Sequence, residues 1–386
     1  MSAGLSRSGA DIEQLGDWGC MSTLILPASD IARIVQLVGR DALMDRMIER
    51  MASGIAALGR GEVATTPPRG GFTRDSDGIG VIEWMPHHEP GKGMTLKTVG
   101  YTPANPLHHE LPTILGTVTR FDDITGRLVA LADGVVPTAI RTGAMSALAS
   151  RLLARPDSTT VGLIGAGAQS VTQLHALTRV FDVRRVLVSD INPEHAATFA
   201  RRVAFLGRDL RIELVTASTV AAESDIICTA TTVGVGEGPV LPDTVMREHV
   251  HVNAVGADLP GKTELPLGLL TRSLVTYDHL AQSRVEGECQ QLPEDAVGPA
   301  LATFCADPGS AVPWRERSTV FDSTGFAFED HLALDLFLEL AVEYGLGHTV
   351  EVEYHPVDSL DPYPPLAGVD SAAGASTRSA VPAAAA

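Results

Sequence analysis

The sequence predicts an α/β chain in which a parallel-sheet domain is inserted into a discontinuous α+β domain. Three observations carry this. Between about residues 78 and 134, short strand-like runs follow one another closely, with Asp-Asp-Ile-Thr-Gly at 122–126 as a hairpin connection. From Ala139 the pattern becomes strand–helix alternation, which means parallel strands joined by crossovers. After a last apolar helix over 327–344, the run HTVEVEYH is placed to rejoin the first domain.

The bulk properties are compatible with that reading. The chain has 386 residues, 45% of them hydrophobic, and a net charge of −18. The length suits two domains, and the acidity argues against nucleic acid, which needs clustered basic surface. Cys20, Cys228, Cys289 and Cys305 form no C-x-x-C pair, so neither a disulfide framework nor a zinc site is expected, and a cytoplasmic location fits. No signal peptide or membrane-spanning run is expected. Lysine occurs only at Lys92, Lys97 and Lys262 against abundant arginine, which singles out positions where a compact ammonium matters.

In chain order, residues 1–26 read as a flexible leader. Ser29 starts a helical pattern and Asp41 restarts it after Gly39. Met44, Met47, Ile48, Met51, Ile55 and Leu58 then form a core stripe that Gly59 ends. GIGVIEWM, MTLKTVGY, TILGTVTRFDD and RLVALADG read as antiparallel strands. Thr138–Ala154 is helical. There follow a strand (VGLIG), a helix over 168–180, a strand (RRVLVSD), a helix opened by Asn192-Pro193, and strands at IELVT, DIICTAT, HVHVNAVG, SLVTYD and STVFDS. The tail over 365–386 is small-residue low complexity and is expected to be disordered.

The turn in VGLIGAGAQS has Gly165 and Gly167 between a buried strand and a helix. Gly165 permits the tight turn, and Gly167 lets backbone approach a pyrophosphate at the helix N-terminus. The third glycine of the fingerprint is replaced by Ser170. Asp190 ends the second strand twenty-five residues after Gly165, where an adenosine ribose is caught, and no arginine follows it directly. This predicts a Rossmann-type domain binding NAD rather than NADP, over 139–327. The substrate-binding and dimerisation domain is then 27–138 with 328–364.

Three further places carry candidate chemistry. Asp258, in NAVGADLPGKTELP, would stand at the carboxyl edge of the sheet as a general base, or else cap the turn at Pro260-Gly261. Lys97, Arg69 and Arg141 lie in apolar settings and need anions, either a substrate α-carboxylate or internal acids. DSTGFAFED brings Ser323, Thr324 and Gly325 to border a nicotinamide, or else starts a helix. The pairs His87-His88 and His108-His109 read as surface residues in Pro-rich loops, and no metal site is expected.

These strings resemble a known family. LKTVGY, LPTILGTVTRFDDITGRLVALADG, AIRTGAMSALASRLLARP, IGAGAQSVTQLHAL, NAVGADLPGKTELP and DSTGFAFED together are similar to the ornithine cyclodeaminase/μ-crystallin family over about 27–360. RGGFTR, EWMPHHEPG, TVGYTPANP and EGECQQL resemble its actinobacterial lysine cyclodeaminase branch, which makes pipecolate. The resemblance implies a homodimer with tightly held NAD. It implies that Arg69, Lys97 and Arg141 bind the substrate carboxylate, that Asp258 is the catalytic acid/base, and that Glu83 meets the distal amine. Ala168, Gln169, Asp190, Val255, Gly256, Ala257 and Lys262 match cofactor contacts. Thr113, Thr231 and Thr324 align with the NAD site, and Arg141, Asp258 and Ser323 border it. Asp-Leu-Pro at 258–260 departs from relatives only in its middle residue. The implied reaction is redox-neutral cyclodeamination of L-lysine, or of L-ornithine to L-proline. The hydride taken from Cα is returned after the ω-amine has displaced ammonia. A ketimine reductase or amino-acid dehydrogenase, and a non-catalytic NAD-dependent binding protein, are the alternatives.

Overall fold

The computed structural model describes residues 22–74, 80–207 and 209–364. Residues 24–348 form one unit; residues 1–23 and 349–386 form another. In the second unit the Tyr354 hydroxyl donates to the Tyr363 carbonyl at 3.1 Å. The strand expected over 348–355 is confined to His348–Val350. The tail over 365–386 and Cys20 lie outside the described residues.

The larger unit begins with a strand, β1 (Thr23–Leu26), that pairs in parallel with a later one. The leader reading therefore fails over 23–26, where TLIL is β-prone and three of its four residues are buried. The rest of the expected leader lies outside the described residues. Helices α1 (Ala28–Val38) and α2 (Arg40–Gly59) follow, broken at Gly39 as the pattern requires. Met44, Met47, Ile48, Met51 and Ile55 are buried, and the methionine stripe is core. Then come β2 (Gly70–Arg74), β3 (Gly80–Glu89), β4 (Gly93–Tyr101), the short α3 (Asn105–His108), β5 (Ile114–Phe121) and β6 (Leu128–Asp133). The strands lie side by side as β1-β6-β5-β4-β3-β2, antiparallel except for β1 with β6.

Strand alternation in β3 sends Val81, Glu83, Met85 and His87 inward, and Ile82, Trp84 and His88 outward. On β4 the inward set is Thr95, Lys97, Val99 and Tyr101. The register sets Val81 opposite Tyr101, Glu83 opposite Val99, Met85 opposite Lys97 and His87 opposite Thr95. His87 is thus no surface residue, because both members of the pair lie in a strand and only one faces solvent. His88, His108 and His109 are exposed as expected.

Helix α4 (Val135–Leu153) leads to the second sheet, built from β7 (Thr160–Ile164), α5 (Ala168–Val180), β8 (Arg185–Ser189), α6 (Pro193–Arg202), β9 (Arg211–Leu214), α7 (Ala217–Glu223), β10 (Ile226–Thr229) and β11 (His251–Ala254). It continues with α8 (Leu267–Arg272), β12 (Leu274–Tyr277), α9 (Leu280–Ser283), α10 (Leu301–Ala306) and β13 (Thr319–Asp322). The order is β12-β13-β11-β10-β7-β8-β9, all parallel. The order reverses between β7 and β10, the crevice where such sheets bind ligands. Asn192 caps α6 by accepting from Glu194 N–H at 2.9 Å, with Pro193 at the first helical position. Helix α11 (Ala327–Tyr344) closes the unit and packs on the inward face of β3 and β4. No helix among the described residues is long and apolar enough to cross a membrane.

Candidate active site

The first half of the site is the turn after β7. Gly165, at φ +91°, donates its N–H to the Ser189 carbonyl at 2.8 Å, tying the turn to the end of β8. A Cβ on Gly167 would meet nothing within 4 Å, so the backbone is open there to a bulky ligand. No side chain caps α5, and its first-turn N–H groups face that opening unclaimed by any cap. These features fit a dinucleotide pyrophosphate. Ser170, in the third-glycine place, is buried, and its hydroxyl donates back to the Gly165 carbonyl at 2.6 Å. Asp190 stands at the end of β8, as expected. Its carboxylate accepts from Ala166 N–H at 2.6 Å and Asn192 N–H at 2.7 Å. It therefore holds the turn's shape besides carrying a charge to its rim.

The second half is a pocket between the sheets. Arg69, Glu83, Lys97, Arg141, Gln169, Val255, Asp258, Ser323, Thr324 and Gly325 line it, all of them predicted site residues. The cations are held by internal acids. Lys97 Nζ lies 3.0 Å from Asp330 Oδ1, which also accepts from Arg141 Nε at 3.1 Å. Arg141 Nη1 donates to Glu329 Oε2 at 2.5 Å. Arg69 Nε lies 2.8 Å from Glu286 Oε1 and its Nη1 3.2 Å from Glu83 Oε2. Arg69 Nη2 also donates to the carbonyls of Thr324 and Gly325. The internal-acid reading of these cations thus holds, and it coexists with their facing the pocket.

Burial sets the electrostatics. It pulls the Lys97 ammonium down to about 8 against the support of Asp330. It pushes Glu286 up to about 7 and Glu329 up to about 8, each partly opposed by an arginine. Glu83 is raised for the same reason. Asp330 resists burial and stays below its ordinary value because Arg141 and Lys97 both face it. A cluster of near-neutral acids around three cations can accept an ammonium-bearing ligand and exchange protons with it near neutral pH.

Asp258 follows β11 and points into the same pocket, with its side chain 25% exposed. Its Oδ1 lies 2.7 Å from Lys262 Nζ. Lys262 is 1% exposed, and Tyr101 covers it, hydroxyl at 3.4 Å and ring centroid at 5.1 Å. Burial is the largest single influence on Lys262 and lowers it, but Asp258, Tyr101 and Glu264 together hold its ammonium above the ordinary value. Lys262, aligned by resemblance with cofactor contacts, is here the buried counter-ion of the candidate base. Beneath them Glu264 accepts four bonds: Thr229 Oγ1 at 2.6 Å, Thr231 N–H and Oγ1 at 2.7 Å each, and Gly256 N–H at 2.8 Å. Thr231 thus directs its hydroxyl to Glu264.

Ala257 is buried, while Ala168 is exposed at the start of α5, beside the open turn. Thr113 is not among the residues lining the pocket; its carbonyl accepts from Thr102 N–H at 2.8 Å, and Ile114 reaches the pocket instead. Ser323 and Thr324 do not cap α11, whose N-cap is Phe326. Thr324 Oγ1 donates to Asp278 Oδ1 at 3.0 Å, and Gly325 N–H donates to Asp278 Oδ2 at 2.6 Å. Sequence reasoning missed Asp278, Gln282, Glu286, Glu329 and Asp330. The last two stand in GFAFED, where they read as first-turn helix acids; only the tertiary approach of Lys97 and Arg141 reveals their role.

The family model for the ornithine cyclodeaminase/mu-crystallin family matches residues 29–344. An L-lysine cyclodeaminase of Streptomyces rapamycinicus is 55% identical over 343 residues, 89% of this chain and 99% of that protein. A solved lysine cyclodeaminase, described for its recognition of L-lysine, L-ornithine and L-2,4-diaminobutyric acid, superposes with a TM-score of 0.87 at 59% identity, covering 89% of this chain and 99% of that one. An archaeal alanine dehydrogenase dimer with bound NAD gives a TM-score of 0.74 at 28% identity, over 86% of this chain and 99% of that one. By the span of that match and these identities, the chain belongs to the ornithine cyclodeaminase/mu-crystallin family.

Proposed function

We propose that this chain is an NAD-dependent cyclodeaminase that converts L-lysine to L-pipecolate and ammonia. The observation that carries it is the meeting, in one pocket at the carboxyl edge of the parallel sheet, of three cations and the partly buried Asp258 carboxylate beside an open glycine turn. Its 55% identity to the S. rapamycinicus enzyme supports lysine as substrate. Gly165, Gly167, Ala168, Gln169 and Asp190 would hold NAD, with Val255, Gly256 and Thr324 toward the nicotinamide. When bound, NAD supplies a reversible hydride acceptor for the amino acid's Cα.

The chain's own residues do the rest. Arg69, Lys97 and Arg141 grip the substrate α-carboxylate, which fixes Cα and lowers the entropic part of the barrier. Asp258 takes a proton from the α-ammonium, and Lys262, 2.7 Å away, holds that carboxylate in position. Glu83 and Glu286 receive the distal ammonium and can relieve it of a proton before it attacks Cα. Burial of the pocket keeps water from hydrolysing the imine to a keto acid. Ring closure forms the Cα–Nε bond and breaks the Cα–Nα bond, so one lysine gives one pipecolate and one ammonia with no net redox change.

We also assign a homodimer in a reducing cytoplasm. The outward face of β2, β3 and β5 exposes Phe72, Ile82, Trp84 and Leu115 in adjacent register, with the Phe72 and Trp84 rings 5.2 Å apart. A second copy fits that apolar face. Cys228, Cys289 and Cys305 are free thiols.

The test is incubation of purified protein with Cα-deuterated L-lysine, and separately L-ornithine, without added reductant. Pipecolate that keeps its deuterium, with ammonia released and no accumulated NADH, is expected. A keto acid, or deuterium appearing in free NADH, would overturn the cyclodeaminase reading in favour of a dehydrogenase. A higher kcat/KM for ornithine would overturn the choice of lysine alone.

A further inference from the structure

One strand step from Lys97, on the same buried face of β3 and β4, His87 faces His331 of α11, ring centroids 4.9 Å apart. The two imidazoles are 1% and 0% exposed. Each directs Nδ1 to a threonine: His87 to Thr66 Oγ1 at 2.9 Å, His331 to Thr95 Oγ1 at 2.8 Å. Thr95 Oγ1 also accepts from Arg120 Nε at 2.9 Å, so it is fixed in place. Neither Nε2 has a hydrogen-bond partner. Glu89, at the end of β3, gives Oε1 to Lys92 Nζ at 2.6 Å, and its Oε2 lies 3.2 Å from His331 Nε2 as an ion pair without an aligned hydrogen bond. The two Nε2 atoms and the Glu89 oxygen lie within 4.8 Å of one another.

Three buried polar atoms that converge without an aligned hydrogen bond are expensive to leave alone. A shared cation resolves them. Imidazole nitrogens and a carboxylate are the ligands of zinc and its first-row neighbours, and the outer ring nitrogens are held by hydroxyls, as metal-binding histidines require. We propose that His87, Glu89 and His331 bind one divalent first-row transition-metal ion, with Asp335 beside them as a further carboxylate. Asp335 Oδ2 is 3.5 Å from His331 Nε2, while its Oδ1 is bound by Arg120 Nη2 at 2.5 Å.

The distances suit it. Bonds of about 2.0–2.1 Å place neighbouring tetrahedral ligands about 3.3 Å apart. Glu89 Oε2 and His331 Nε2 are already at 3.2 Å, and His87 has at most about 1.5 Å to close. The adjacency of His87 and His88 argued against a metal, because neighbours rarely share one. In β3 they point to opposite faces, and the partners come from Glu89, two residues on, and from α11. The ion would not touch the substrate pocket. It would pin the end of β3 to the first turns of α11, next to the Glu329 and Asp330 that hold Arg141 and Lys97.

The test uses the full chain stripped with a chelator and titrated with Co²⁺ alone, followed by visible absorption and calorimetry. We expect one equivalent per chain, d–d bands of a nitrogen- and oxygen-ligated ion, and displacement by Zn²⁺. Glu89→Gln, at the rim of the cluster, is expected to weaken binding at least about 100-fold while leaving NAD content and metal-free Tm near wild type. His87→Gln is expected to weaken it similarly, and if it fails to fold Glu89→Gln still decides. Absence of saturable binding would overturn the proposal. So would equal affinity in the wild type and Glu89→Gln, or a His331 Nε2–H that NMR shows bonded to Glu89 and indifferent to added metal.

Discussion

Asp258→Asn separates two effects that meet at one oxygen. Asparagine keeps the shape of the side chain but loses its charge and its capacity to take a proton. As the base, Asp258 contributes on the order of 10²–10⁴ in rate, so kcat is expected to fall at least a hundredfold. As the counter-ion, it sits 2.7 Å from the Nζ of a lysine that is 1% exposed. Removing one partner of a fully buried pair costs about 3–5 kcal/mol. Asp258 keeps 25% of its side-chain exposure, so water replaces part of the lost interaction and about 2–3 kcal/mol is expected. For a chain of 386 residues that is a Tm lower by about 2–4 °C. The double variant Asp258→Asn, Lys262→Met removes the stranded ammonium and is expected to regain most of the lost Tm but none of the rate. Ammonia release with product mass, thermal melting and bound NAD content are read on wild type, both single variants and the double. Turnover of Asp258→Asn within tenfold of wild type would refute the base role. A Tm loss that persists in the double would show that the lysine's charge is not its cause.

Two further outcomes follow from the clamp. Because burial lowers Lys97 to about 8, its ammonium is fully present below that pH and is lost as pH rises through it. Affinity for the carboxylate product L-pipecolate should therefore be flat to about pH 7 and fall toward tenfold per unit above about pH 8. Lys97→Arg should keep the affinity flat to above pH 9, so a break at the same pH in that variant would exonerate Lys97. Gly325 has φ +72°, and a Cβ there would meet Arg141 Nη1 at 2.5 Å. Gly325→Ala is expected to add about 1–2 kcal/mol of backbone strain and to raise KM at least tenfold, with bound NAD unchanged; a normal KM would show that Arg141 does not set substrate position.

The parallel sheet was legible because its signals are local. VGLIGAG is a strand, a turn and a helix start within ten residues, and the α5 and α11 boundaries fall at 168–180 and 327–344 as their apolar periods require. The first sheet was harder for a physical reason. In β3 the outward positions carry Ile82 and Trp84, and the inward ones carry Glu83 and His87. Hydrophobic alternation there points to the wrong face, because the inward face is a polar site and the outward face is apolar. The short β1 was hidden by its position next to a polar leader. The cations Arg69, Lys97 and Arg141 were found as charges without visible partners. Their acids Glu286, Glu329 and Asp330 lie some 190 to 230 residues further on, and no local spacing connects them.

Glu264 has a consequence for how this site can drift in evolution. Its four accepted bonds come from the loop ends of β10 and β11, and its carboxylate occupies the space a side chain at 256 would need: a Cβ on Gly256 would lie 2.3 Å from Glu264 Oε1. A side chain at 256 therefore displaces the Glu264 carboxylate from the position in which it accepts these bonds. Neither position can change first without cost. Replacing Glu264 strands the Gly256 and Thr231 N–H groups, about 1–3 kcal/mol for each one buried, and filling position 256 expels the carboxylate that holds Thr229. The pair can be crossed only by simultaneous or compensated substitution. The floor beneath Asp258 should accordingly vary as a block among relatives.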